Sequence, residues 1–127
     1  MNLLHDRRKG MILVSAAGII TNMLLAFCAL FLYRLLSPSP SGIAAQLLYY
    51  FARINIILAA FNLIPLPPLD GSKILMGFAP PGVQKSLYRL ERYGLLIIIL
   101  LLYLGFLEPV IRFFEWLILL PIKLLLP

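Results

Sequence analysis

Phe61-Asn62-Leu63-Ile64-Pro65-Leu66-Pro67-Pro68-Leu69-Asp70-Gly71 is an apolar run broken by three prolines and closed by one carboxylate, with long hydrophobic segments on both sides. An Asp at the centre of a membrane helix costs roughly 2.5–3.5 kcal/mol on insertion scales, so Asp70 in this setting marks a functional position. Pro65, Pro67 and Pro68 each fix φ and remove a backbone donor, which predicts an extended, non-helical segment. Such backbone survives at membrane depth only inside protein or beside a water-filled cavity. The stretch therefore reads as a carboxylate on a stiff strut within a bundle of membrane helices.

The rest of the chain agrees with that setting. Of its 127 residues 62% are hydrophobic, and its mean hydropathy is +0.99. The apolar residues lie in blocks long enough to cross a bilayer, so the class is an all-α integral membrane protein. One membrane domain, 1–127, accounts for the length. The net charge of +6 sits beside hydrophobic blocks without interleaved aromatics, which speaks for juxtamembrane orientation and against nucleic acid. Cys28, the one cysteine, allows no intrachain disulfide and reads as a small core or lipid-facing residue.

Working outward, Met1–Gly10 is a short polar lead and Met11–Leu36 a first span. It is too long for a signal-peptide core and is followed by no cleavage pattern. Ser15-Ala16-Ala17-Gly18 permits close helix approach, and Thr21 and Asn22 should face protein. Ser37–Gly42 is a turn, and Ile43–Ile64 a second span containing Arg53 and Asn55. Arg53 either snorkels, pairs with Glu108 or Glu115, or marks a shifted span, whereas Asn55 suits an interhelical hydrogen bond. Ser72–Phe78 is a short helix that Asp70 would cap. Val83–Tyr93 has the pattern of an amphipathic interfacial helix, with Tyr88 and Tyr93 at headgroup level. Gly94–Leu107 and Val110–Leu126 are the remaining apolar blocks. The expected architecture is a polytopic bundle of about four transmembrane segments with a Pro-rich re-entrant or extended segment before Asp70. With the N-terminus inside, eight Lys and Arg residues fall on the cytoplasmic side and two, Arg34 and Arg112, outside. That asymmetry predicts a cytoplasmic N-terminus in the cell (plasma) membrane.

Asn62-Leu63-Ile64-Pro65 followed by Pro67-Pro68-Leu69-Asp70-Gly71 resembles the second metal-ligand motif of the site-2 protease family, the intramembrane zinc metalloproteases of peptidase family M50. The resemblance runs from about Arg7 to the end of the chain. Ala17-Gly18-Ile19-Ile20-Thr21-Asn22 keeps the frame of a further family motif, with Ile19 where the family has proline. The resemblance implies zinc, with Asp70 as third zinc ligand, and Asn62 as a substrate or oxyanion contact for a transmembrane peptide substrate. In the family two histidines of an H-E-x-x-H segment supply the other ligands, and the Glu acts as base. This chain has no H-E-x-x-H; its one histidine is His5, read as a solvated juxtamembrane residue, and no Glu precedes Glu91. Lone Asp70 cannot hold zinc, which takes about three protein ligands in a catalytic site. The expectation is a site-2 protease-like chain truncated before its catalytic motif and inactive alone. Two other classes stay open. One is a non-catalytic protein of the same fold that holds a transmembrane partner along Pro65–Leu69. The other is a small channel or transporter subunit with Arg53 and Asp70 along its path.

Overall fold

A computed structural model describes residues 3–37 and 39–127, with side chains from residue 6 onward; the solvated position expected for His5 lies outside them. All regular structure among the described residues is helical: α1 Leu3–Leu36, α2 Ile43–Leu63, α3 Asp70–Phe78, α4 Pro81–Leu104 and α5 Leu107–Leu125. Helix α1 has 34 residues, about 50 Å at 1.5 Å per residue, well beyond a 30 Å hydrocarbon core. The polar lead is thus not a separate segment. Its charges stand on the first turns of the same helix, because one glycine, Gly10, costs only about 1 kcal/mol and does not stop it.

A turn at 39–42 leads into α2, which packs antiparallel on α1. The seam between spans is built from small side chains: Ala26, Ala29, Ala45, Ala52, Ala59 and Ala60 are all buried. Small residues let helix backbones approach closely where lipid provides no hydrophobic drive. From the expected 15–18 patch only Ser15 joins this buried set, while Ala17 and Gly18 remain exposed. Thr21 also faces outward and returns its hydroxyl to the Ala17 carbonyl (2.7 Å). Asn55 is buried, yet its amide donates to Phe51 of its own helix (2.9 Å). Both polar side chains satisfy a local i−4 carbonyl instead of reaching another helix.

Helix α2 stops at Leu63 because Ile64 precedes a proline and takes extended backbone (φ −60, ψ 127). Helix α3 then runs back along α1, with Gly77 against Ile12 and the Arg8 carbonyl. The expected boundary between an interfacial helix and a third block is absent; α4 is one continuous helix of 24 residues. It ends at Gly105 in the left-handed region (φ 79), where glycine pays no Cβ penalty. Helix α5 begins at Leu107, bent by 97° from α4, and tolerates Pro109 in its first turn, where the missing N–H has no helical partner to lose. It returns Ile118 and Ile122 to a core shared with Ile19, Ala26, Ile56, Ala59 and Ala60.

Two helices, Asp6–Leu36 and Ile43–Leu63, are each long and apolar enough to cross a membrane, and the bent α4–α5 pair qualifies together as a third. The chain is a helical integral membrane protein. Its outward faces agree: Leu24, Leu35, Ile54, Leu96 and Tyr103 are among many large apolar side chains left exposed. Cys28 is exposed on α1.

Candidate metal-ligand corner

Three backbone N–H groups exist between residues 64 and 69, since the other three residues are prolines. All three are used inside the corner. Ile64 donates to Phe61 (3.2 Å), Leu66 to Ile64 (2.8 Å) and Leu69 to Leu66 (2.9 Å). The segment is non-helical, and the Leu66–Leu69 turn folds it more tightly than a fully extended strut. It exposes no spare donor, so it can lie in dry surroundings without an unpaired N–H. It also has no N–H to offer an incoming strand, which weakens the partner-holding reading of Pro65–Leu69.

Glycines close the corner from two sides. A Cβ at Gly71 would collide with the carbonyl oxygens of Leu63 and Ile64, so the first turn of α3 comes directly onto the end of α2. A Cβ at Gly94 would collide with the Pro67 carbonyl and stand 3.0 Å from Pro68 Cδ, which seats mid-α4 on the prolines. Ile64 and Leu69 are buried with Ile98 of α4 and Leu107 of α5, flanked by Phe61 and Leu66. The importance of Gly71 and Gly94 was not read from the sequence; glycine inside an otherwise sound helical run was the available signal.

Asp70 is half-buried and is the first residue of α3. It does not cap that helix as expected. Leu69 is the cap residue, without a side-chain hydrogen bond, and the Leu69 carbonyl accepts from the Ser72 hydroxyl at 2.7 Å. The carboxylate instead faces α1: Oδ2 lies 3.7 Å from where a Gly18 Cβ would stand. Asn62, also half-buried, is on the last turn of α2, and its amide nitrogen donates to the Leu58 carbonyl (2.9 Å). Asn62 and Asp70 thus border the same proline turn from its two ends.

Arg53 lies elsewhere. It opens onto a cleft of about 390 Å³ shared with Glu108, Arg112 and Glu115. The ion pair formed there is Arg112 to Glu108 (2.7 Å), the one such pair among the described residues; of the three readings open for Arg53, pairing with Glu108 or Glu115 is not made. Asp70 does not line that cleft.

A sequence model of "Peptidase family M50" matches residues 37–105, more than half of the chain, from the α1–α2 turn to the end of α4. The chain belongs to peptidase family M50. The matched residues contain the whole corner, Asn62 and Asp70 included. Among curated relatives, "Putative zinc metalloprotease YwhC" of Bacillus subtilis is 34% identical over 112 residues, covering 83% of this chain and 49% of that protein. "Putative zinc metalloprotease MJ0611" of Methanocaldococcus jannaschii is 38% identical over 66 residues, covering 49% of this chain and 31% of that protein. The chain therefore spans half or less of the length of these M50 relatives. No solved structure matches it.

Zinc is the metal that M50 membership implies. No group of three or more His, Cys, Asp or Glu side chains among the described residues is arranged to hold a metal ion. The corner supplies one carboxylate, and these residues do not by themselves make the family's centre.

Proposed function

We propose that this chain forms one wall of an intramembrane peptidase site of the M50 type, in which Asp70 is a metal ligand and Asn62 contacts the substrate peptide. The observation that carries the reading is the placement of the Asp70 carboxylate against α1 at Gly18, where a cap on α3 was expected. A ligand pointing at the first span suits a centre whose remaining ligands come from residues beyond the 127 present here. The Asn62 amide has donors to hold or polarise a peptide carbonyl, and one is engaged with Leu58. In this reading the domain is a single one, resembling the C-terminal part of a site-2 protease domain. It lies in the plasma membrane with a cytoplasmic N-terminus, as the Lys and Arg asymmetry favours. The chain alone hydrolyses no peptide bond.

Two preparations test this. The 127-residue chain, purified in detergent, should retain no stoichiometric zinc; stoichiometric zinc lost in Asp70→Ala would overturn the claim that one ligand is contributed here. In a longer form carrying an H-E-x-x-H segment, Asp70→Ala should abolish zinc retention, and Asn62→Ala should keep zinc while slowing cleavage. If both variants bind zinc and cleave as the parent does, the assigned roles are wrong. The finer topology, four crossings with α4 and α5 each passing through the bilayer, puts Phe106 outside. A Phe106→Cys reporter in a Cys28→Ser background should then react with an impermeant thiol reagent in intact cells. Reaction only after lysis would leave α4 and α5 as one bent element.

A further inference from the structure

Helix α4 carries an ordered stripe that the proposed peptidase corner does not use. At 3.6 residues per turn, Lys85, Arg89 and Arg92 fall on one line of the helix, and the same line continues through Leu96, Ile99 and Tyr103. All six side chains are exposed, Tyr103 most of all at 87%. The opposite face, with Leu87, Gly94 and Ile98, is buried, and Glu91 stands on that half-buried side. Lys85, Tyr88, Arg89, Arg92 and Tyr93 together line one open cleft of about 530 Å³. None of the three cations is in an ion pair among the described residues.

We propose that this stripe binds one anionic glycerophospholipid along its length. The phosphate and headgroup charge sit among Lys85, Arg89 and Arg92, with the two tyrosines at headgroup level, and an acyl chain follows Leu96, Ile99 and Tyr103. Three observations favour this occupant. Unpaired cations at the end of an apolar helix attract anionic headgroups. The apolar track begins one turn after the last cation and on the same face, which matches an amphiphile and gives a free anion no use for it. The track from Leu96 to Tyr103 rises about 10 Å, enough for an acyl chain to lie along two turns of the helix. Because α4 is one unbroken helix, the polar and apolar halves of the stripe keep a fixed register. The proposal rests on α4 and the membrane setting alone, so loss of the Asp70 assignment would leave it standing.

The test uses the purified chain, delipidated in non-ionic detergent and titrated with phosphatidylglycerol or phosphatidylcholine under native mass spectrometry. Phosphatidylglycerol should be retained at concentrations where phosphatidylcholine is not. The triple variant Lys85→Gln, Arg89→Gln, Arg92→Gln should weaken its retention by roughly tenfold or more, with helicity by circular dichroism unchanged. Arg89→Gln alone should give a partial loss, which keeps the test available if the triple variant folds poorly. Leu96→Ser with Ile99→Ser should also weaken retention without altering charge, whereas Lys123→Gln should not. Equal retention of the two lipids, or a triple variant that folds and retains phosphatidylglycerol as the parent does, overturns the proposal. Displacement of the lipid by millimolar inorganic phosphate, with no effect of the Leu96 and Ile99 changes, overturns it in favour of a free-phosphate site.

Discussion

The corner at Asp70 and the cleft at Arg53 both carry charge against a hydrophobic background, and they are built in opposite ways. Around Asp70 the backbone of three helices closes to contact distances that only glycine allows, at Gly71 and Gly94, and every N–H of the turn is used. Around Arg53 the cleft is open, and its one ion pair is between exposed partners on α5. A carboxylate that must keep a direction needs a scaffold that leaves it no alternative. An arginine on a long flexible stem can find water or a headgroup by itself.

Substitutions can break or sharpen that contrast. Gly71→Ala carries the largest expected effect. In an open helix interior the change would gain up to about 1 kcal/mol, but here the new Cβ meets two backbone carbonyls. A loss of about 3 kcal/mol in a denaturant titration of the detergent-solubilised chain is expected. Gly94→Ala should follow at about 2 kcal/mol, since Pro67 and α4 can separate slightly. Gly77→Ala meets chiefly the Ile12 side chain, which can change rotamer, so about 1 kcal/mol is expected. Gly10→Ala has nothing within 4 Å and should stabilise by as much as 1 kcal/mol or so. Arg53→Gln should alter stability by less than about 0.5 kcal/mol, as for a surface position. A stabilising Gly71→Ala, or an Arg53→Gln loss above about 1 kcal/mol, would erase the distinction between a locked corner and a loose cleft.

The parts of this architecture legible in the residues are those governed by hydropathy and proline. The two long apolar runs become α1 and α2, a turn at 39–42 leads into the second, and Pro65 ends α2 two residues before itself, at Leu63. What misled was reading polarity as conformation. The switch from Lys85, Arg89 and Arg92 to an apolar run at Gly94 suggested two elements, but charge reports the surroundings of a helix, not its continuity. In the same way Glu108-Pro109 marked a break that falls at Gly105, because a proline is harmless in a first helical turn. Thr21 and Asn55 looked like interhelical contacts, and each instead bonds a carbonyl one turn earlier, an option that sequence spacing always leaves open. Asp70 was read as a cap from its place before a helix, yet Leu69 takes the extended backbone (ψ 156) and puts Asp70 already inside it. That one-residue shift frees the carboxylate to face α1.

The scarcity of amide hydrogens in the proline turn has a practical consequence. Deuterium uptake across residues 64–69 can come only from Ile64, Leu66 and Leu69, each bonded within a few residues of itself. Those three sites form a small, self-contained clock for the corner. If they exchange together, the turn opens as one cooperative unit; if Leu66 exchanges ahead of the others, the strut loosens in its middle while both ends stay anchored.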